Sequence, residues 1–276
     1  MTGKDVYKQI CERDDYKVLF FTDLNPKLIG TYIDGLEVKR REDTIVARPD
    51  LVIIGMLTGF DDEVSFLAQN GFSEEQIVLK YIDLPTRGRL ASLEGIAKVF
   101  KKHEVDGDVA ELGVYKGDFA KEINRIFPDR NLYLFDTFEG FPDEDFNYDK
   151  ENNLFLANVG KLANTSEAYV MGRMPHKEKV IIKKGRFPDT TVGLENTTYA
   201  FVNIDVDLYK PILAGLEYFW PRMAPGGYIF VHDYFSLSYA GAQQAIEEFA
   251  SRNGISFVPI GDTLSVAFCK PLEGVK

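Results

Sequence analysis

The chain has little cysteine, histidine or tryptophan: two, three and one residues respectively in 276. Cys11 and Cys269 lie near opposite ends and make neither a CxxC metal pair nor a disulfide framework, which fits a reducing compartment and two thiols without a special task. No stretch approaches the roughly twenty apolar residues of a membrane span, and the first residues lack the basic-then-apolar order of a secretion signal. The expected location is the cytoplasm. Positive charge is also scarce, with 32 Lys and Arg against 43 Asp and Glu and a formal net charge of -11. That balance argues against a nucleic-acid backbone or an anionic membrane surface as the main partner. Apolar residues, by contrast, make up 45% of the chain, enough for one large core or two modest ones.

Two regions differ in their patterning. In residues 1–85, the runs "YKVLFFTD" (16–23), "DLVIIGML" (50–57) and "EQIVL" (75–79) alternate with one helical stretch, "DDEVSFLAQNGF" (61–72). This predicts a small parallel α/β, Rossmann-like unit with both sheet faces covered. It has no GxGxxG, so its role stays open between a vestigial or sugar-binding module and a docking or structural one. The stretch "DLPTRGRL" (83–90), with Pro, Gly and charge, reads as a linker, and the domain boundary is placed there. In residues 86–276, strands and helices alternate: strands at 108–114, 131–137, 179–185, 199–207 and 226–234, helices at 118–127, 209–220 and 240–253. The spacing predicts a doubly wound, mostly parallel sheet. Two closing runs, "ISFVPI" and "LSVAFC", read as a hairpin that leaves one antiparallel strand at an edge. The polar segment 138–178, acidic and then helical near "NTSEAYVMGRM", would leave the sheet at the carboxyl end of a strand. That is where open α/β sheets bind ligands, so it is read as a substrate lid.

The turn "ELGVYKG" (111–117) joins a strand to a helix. It has neither the three glycines of the dinucleotide fingerprint nor the GKS/GKT of a P-loop. Glu111, on the strand before Gly113, would repel a pyrophosphate and attract a cationic group. About twenty residues on, Asp136 ends the next strand, at the position that accepts hydrogen bonds from ribose hydroxyls in nucleotide-binding units. Together they ask for an adenosine-like ligand that carries positive charge and little phosphate, a description S-adenosylmethionine meets.

The motifs "VAELGVYKGDFA", "LYLFDTFEGFP", "KKGRFPDT", "NIDVDLYKP" and "GGYIFVHDYF" occur in this order. In that combination the region from about residue 88 to the end resembles the macrocin and mycinamicin O-methyltransferase family, a class I methyltransferase family. The resemblance implies methyl transfer from S-adenosylmethionine to a sugar hydroxyl of a glycoside or nucleotide-linked sugar, a Rossmann-like fold and a homodimer. It also implies that Glu111, Gly113 and Gly117 line the methionine end of the cofactor, with Leu112, Val114 and Tyr115 in the same turn. Asp136, Thr137 and Phe138 would hold the ribose region, and Gly185, Arg186 and Phe187 would flank the adenine. Residues 1–85 are not explained by it.

Two acids end the strand "YAFVNIDVD", Asp205 and Asp207, and a neighbouring strand ends in His232 and Asp233. Asp205, His232 and Asp233 are expected to converge on a divalent cation, Mg²⁺ or, with the nitrogen ligand, Mn²⁺, which would activate the acceptor hydroxyl. Asp205 and His232 are the catalytic candidates. The resemblance implies a Mg²⁺ site here too, but the family's best-known members carry two adjacent acids where this chain has His232 and Asp233. His232 is thus open between metal ligand, general base and a group behind the ligands. Asp207 is also the natural side-chain cap of the helix starting near Tyr209. Two rival functions remain at this stage, a catechol-type O-methyltransferase and a non-catalytic cofactor- or sugar-binding module. His103 and His176 read as surface residues.

Overall fold

The computed structural model describes residues 3–11, 16–56, 60–156 and 162–272. The chain divides into two compact units, Met1–Arg87 and Gly88–Lys276. Among the described residues no helix is long and apolar enough to cross a membrane.

The first unit does not form one parallel sheet. Val52–Ile53 and Ile77–Val78 pair in parallel and bracket the helix Phe60–Gln69, with Ile54, Leu67, Phe72 and Ile77 as their core. The predicted strand at 16–23 is reduced to Phe21–Thr22 and belongs to a separate three-stranded sheet. There it lies parallel to Leu36–Lys39, which also pairs antiparallel with Tyr32–Ile33. The hairpin turns at Asp34 and Gly35, both with positive φ (48° and 83°), the conformation an Asp-Gly pair favours. The split has a simple cause: the run before Phe21 is only partly covered, with Leu19 half exposed, and cannot serve as a buried central strand.

The expected linker is not a loop. Lys80–His103 is one helix (α1), and the division between the units falls inside it. Gly88 belongs to that helix because the 261–262 turn passes against its backbone. A Cβ there would lie 2.2 Å from the Gly261 carbonyl oxygen.

The second unit is built on seven strands, β1 (Asp108–Leu112), β2 (Leu132–Asp136), β3 (Val180–Lys184), β4 (Tyr199–Ile204), β5 (Met223–Val231), β6 (Val258–Pro259) and β7 (Val266–Cys269). Their order is β3-β2-β1-β4-β5-β7-β6. Neighbours are parallel from β3 to β5, and β7 runs antiparallel to both β5 and β6. The antiparallel strand is therefore inserted between two others, and β6 takes the edge instead. Burial explains the choice: Val266, Ala267 and Phe268 are buried, whereas Val258 is exposed and Pro259, which has no N–H to donate, suits an edge.

Helices α2 (Asp118–Ile126), α3 (Asp143–Glu151), α4 (Glu167–Arg173), α5 (Tyr209–Phe219) and α6 (Ala240–Asn253) complete the unit. Every residue of β4 is buried, with Phe201 facing a core shared with α1 and α2, and Val202 and Ile204 facing one shared with α5 and α6. By the same alternation Glu111, Asn203 and then Asp205 point to the α1 side. The expected lid, 138–178, contains α3 and α4; residues 157–161 lie outside the described residues. Ser166 caps α4, its Oγ accepting from the Tyr169 N–H at 3.2 Å.

Candidate functional site

The strand order reverses between β1 and β4, and a cleft opens there beyond the carboxyl ends of β1 to β4. Leu112, Gly113, Tyr115, Asp136, Thr137, Gly185, Arg186 and Phe187 line it together with Asp205 and Asp207. Four other residues expected at the cofactor, Glu111, Val114, Gly117 and Phe138, are not in its lining. Glu111 is 2% exposed: its Oε1 accepts from Asn203 Nδ2 at 2.8 Å, and its Oε2 has no hydrogen-bond partner. Burial, and after it the charge of Asp205, pushes its pKa well above the usual carboxylate range, against the pull of Arg89. Glu111 is thus a buried acid outside the cleft lining, in surroundings that disfavour its charged form.

Asp136 spends most of its capacity on the chain itself. Its Oδ2 accepts from the Val114 and Tyr115 N–H groups at 2.7 and 2.8 Å, and its Oδ1 accepts from the Phe138 N–H at 2.7 Å. A carboxylate has about four acceptor positions, so one remains for a ligand hydroxyl. The carboxylate thereby shapes the β1–α2 turn that walls the cleft. Arg186 is engaged as well, donating from Nε and Nη2 to Asp145 at 3.1 and 2.7 Å. This bidentate pair ties α3 to the turn after β3.

The reactive-looking side chains gather where β4 and β5 end. The register pairs Ile204 with Val231, so the next residues, Asp205 and His232, emerge side by side. His232 Nδ1 lies 3.1 Å from Asp205 Oδ1 and 2.9 Å from Asp233 Oδ2, and the three groups fall within 4.8 Å of one another. Yet that buried nitrogen makes no aligned hydrogen bond. These separations bring two carboxylate oxygens and one imidazole nitrogen to a common point, where they can pair with one another or hold a cation. Burial alone would lower the His232 pKa, but the charges of Asp205 and Asp233 outweigh it and lift it to about 9. Burial likewise opposes the charge on Asp205, and His232 and Arg89 overcome it, holding the acid below its usual range.

Asp207 does not cap α5. It takes a left-handed conformation (φ 61°), and its carboxyl group meets that of Asp233. Burial and the Asp233 charge raise its pKa well above normal, while on Asp233 burial is outweighed by His232, which holds that acid below its usual range. The first N–H of α5, on Tyr209, instead donates to Asp149 Oδ2 at 3.0 Å. Asp149 comes from α3, so the lid segment supplies the cap. Burial is the largest influence on Asp149 and raises its pKa from 3.8 to about 6. A pKa raised on folding favours the protonated form, so this contribution is full below pH 3.8 and is lost as pH rises through about 6. At neutral pH the buried charge costs about 3 kcal/mol. Asp149→Asn keeps an acceptor for Tyr209 and is expected to stabilise the protein by about 2 kcal/mol at pH 7.5. The gain should vanish near pH 4 in urea unfolding; an equal gain at both pH values would refute the argument.

The residues that sequence reasoning missed are Arg89 and Asp149. Arg89 Nη1 donates to Asp205 Oδ2 at 2.8 Å, from a stretch read as a linker. Pairings 116 and 60 residues apart leave no local signal.

A seven-stranded sheet with one inserted antiparallel strand and an acid-bearing cleft at its switch point defines a Rossmann-like methyltransferase fold. Solved structures agree: the O-methyltransferase NovP superposes with a TM-score of 0.55 at 24% identity, covering 67% of this chain and 80% of that one. The calicheamicin methyltransferase CalS11 gives 0.54 at 18% identity over 83% of this chain and 89% of its own. Residues 83–268 match the macrocin O-methyltransferase (TylF) family, and the chain belongs to it. The resemblance read from the motifs is borne out. Among relatives, the mycinamicin III 3''-O-methyltransferase of Micromonospora griseorubida is 28% identical over 240 residues, 83% of this chain and 91% of that protein. A Streptomyces olivaceus enzyme, 8-demethyl-8-(2,3-dimethoxy-alpha-L-rhamnosyl)-tetracenomycin-C 4'-O-methyltransferase, is 26% identical over 182 residues, 61% of this chain and 67% of its own.

Proposed function

We propose that this O-methyltransferase transfers the methyl group of S-adenosylmethionine to a sugar hydroxyl, carried on a glycoside or a nucleotide-linked sugar, with a divalent cation at Asp205, His232 and Asp233. The observation that carries the reading is the convergence of Asp205 Oδ1, His232 Nδ1 and Asp233 Oδ2 beside the cleft. Support for a sugar acceptor comes from the relatives, one of them named for the 4' position of a rhamnosyl compound.

Two carboxylate oxygens and an imidazole nitrogen suit Mg²⁺ and suit Mn²⁺ better, and the unaligned, buried Nδ1 fits a ligand role for His232. When bound, S-adenosylmethionine supplies the electrophilic methyl group and the cation lowers the pKa of the acceptor hydroxyl. The chain supplies position. Gly113 and Tyr115 wall the cleft on the β1 side, and Thr137, Gly185 and Phe187 wall it on the β2 and β3 sides. One free acceptor position on Asp136 takes a ribose hydroxyl. Asp205 lines the cleft and belongs to the cation cluster as well, which brings acceptor and methyl donor within reach of one another.

The test is transfer of labelled methyl from S-adenosylmethionine to a panel of glycosides, nucleotide sugars and catechols, with Mg²⁺, with Mn²⁺ and after chelation. Methylated sugar that disappears on chelation is the expected result. A methylated catechol with no methylated sugar would replace the acceptor assignment, and full activity after chelation would remove the cation.

A further inference from the structure

We propose that Arg89 is a positioning residue for the reaction centre, holding Asp205 so that one carboxylate oxygen alone is presented to His232 and Asp233. The inference rests on the reading of those three side chains as the reaction centre.

The two oxygens of Asp205 have separate partners. Oδ2 accepts from Arg89 Nη1 at 2.8 Å, while Oδ1 faces His232 Nδ1 at 3.1 Å. A carboxylate with one oxygen tied to a guanidinium resists rotation and has less capacity left at that oxygen, so Oδ1 is the donor it presents in a fixed direction. Arg89 is itself fixed from three sides. Its guanidinium lies 4.5 Å from the centroid of the Phe119 ring, and its Nε is 4.0 Å from Asp262 Oδ2. Asp262 is buried and rigidly held, accepting from the Leu264 and Ser265 N–H groups and from Ser265 Oγ. The third constraint is the backbone next door: Gly88 packs so closely on Gly261 that no side chain fits between them. The helix α1 is thus docked on the 261–262 turn at the point from which Arg89 reaches Asp205.

Charge and geometry predict opposite signs for this residue. A cation beside a cation site repels the ion, so if Arg89 acted through charge alone, its removal would tighten binding. A positioning role predicts the reverse, and it predicts that lysine, which keeps the charge but not the planar fork, fails to substitute.

The experiment compares the full-length protein with Arg89→Lys and Arg89→Met, titrating Mn²⁺ by electron paramagnetic resonance without substrates. Hydrogen exchange of peptides covering 203–208 is followed in the metal-free proteins. Both variants are expected to bind Mn²⁺ about tenfold more weakly or worse and to exchange faster at 203–208, with thermal midpoints close to wild type. Wild-type affinity in Arg89→Lys, or tighter binding in Arg89→Met, would overturn the proposal. If the wild-type protein itself binds no Mn²⁺, the cation reading fails, and the exchange data decide separately. Faster exchange at 203–208 in both variants then keeps Arg89 as the residue that positions Asp205; unchanged exchange removes it. Should Arg89→Met fail to fold, Arg89→Lys carries both measurements.

Discussion

Asp205→Asn and Asp233→Asn are each expected to cut methyl transfer about a thousandfold while leaving the affinity for S-adenosylmethionine within a few-fold of wild type. The substitution keeps shape and removes one negative charge. Each acid contributes an oxygen to the same cluster, which neither Asp207 nor the buried Glu111 joins, and burial is the largest influence disfavouring the charged form of both. A cation held by the cluster is worth several kcal/mol to an ionising hydroxyl, and about 4 kcal/mol corresponds to the expected loss. In the proposed reading the cofactor lies against the turns after β1, β2 and β3, which these substitutions do not touch, so binding and turnover should separate. The check is a pair of measurements on each variant, calorimetric titration with S-adenosylmethionine and the rate of methyl transfer with Mg²⁺. Activity within tenfold of wild type in both variants would end the cation mechanism. A parallel loss of cofactor affinity would instead make the two acids part of the cofactor site.

The parts of this arrangement that were readable in the sequence are those with a local cause. β2, β4 and β5 announce themselves as apolar runs that lead into polar residues, because a central parallel strand is buried on both faces and meets ligand only at its carboxyl end. The helix α6 was read at 240–253, as observed, since Gly254 stops it in a left-handed turn. The parts that were not readable depend on which distant surface a residue meets. "TRGRL" has the composition of a linker, yet Gly88 is there for the close approach of the 261–262 turn and Arg89 for Asp205. Asp207 has the residue type and the place of a helix cap, but the left-handed backbone turns its carboxyl toward Asp233 and leaves the cap to Asp149. Likewise "ISFVPI" and "LSVAFC" read as a hairpin, while their order in the sheet depends on which of them is buried beside β5.

Gly113→Ala is expected to destabilise the protein by about 3 kcal/mol or more and to abolish activity in whatever remains folded. Its φ is +87°, where a side chain costs about 1 kcal/mol or more. The larger effect is contact: a Cβ there would lie 2.0 Å from the Asp205 carbonyl oxygen, 2.6 Å from its carbonyl carbon and 2.7 Å from Val206 Cγ1. The obstacle is backbone, which no rotamer change can move aside. Relief requires β1 and β4 to part just where the Asp205 N–H donates to the Leu112 carbonyl at 2.8 Å. Asp205 would then lose its register with His232 and its hold on Arg89 at once. Gly117, the other glycine of "ELGVYKG", provides the control. Its φ is +75°, but a Cβ there would meet only the side-chain ends of Val170 and Met174 at 3.1 and 3.3 Å. Gly117→Ala should therefore cost about 1 kcal/mol and leave activity measurable. Urea midpoints and methyl-transfer rates on the two variants make the comparison, and equal effects at the two glycines would contradict it. The glycine that a cofactor motif appeared to require for its own turn is, on this geometry, equally required by the strand that carries Asp205.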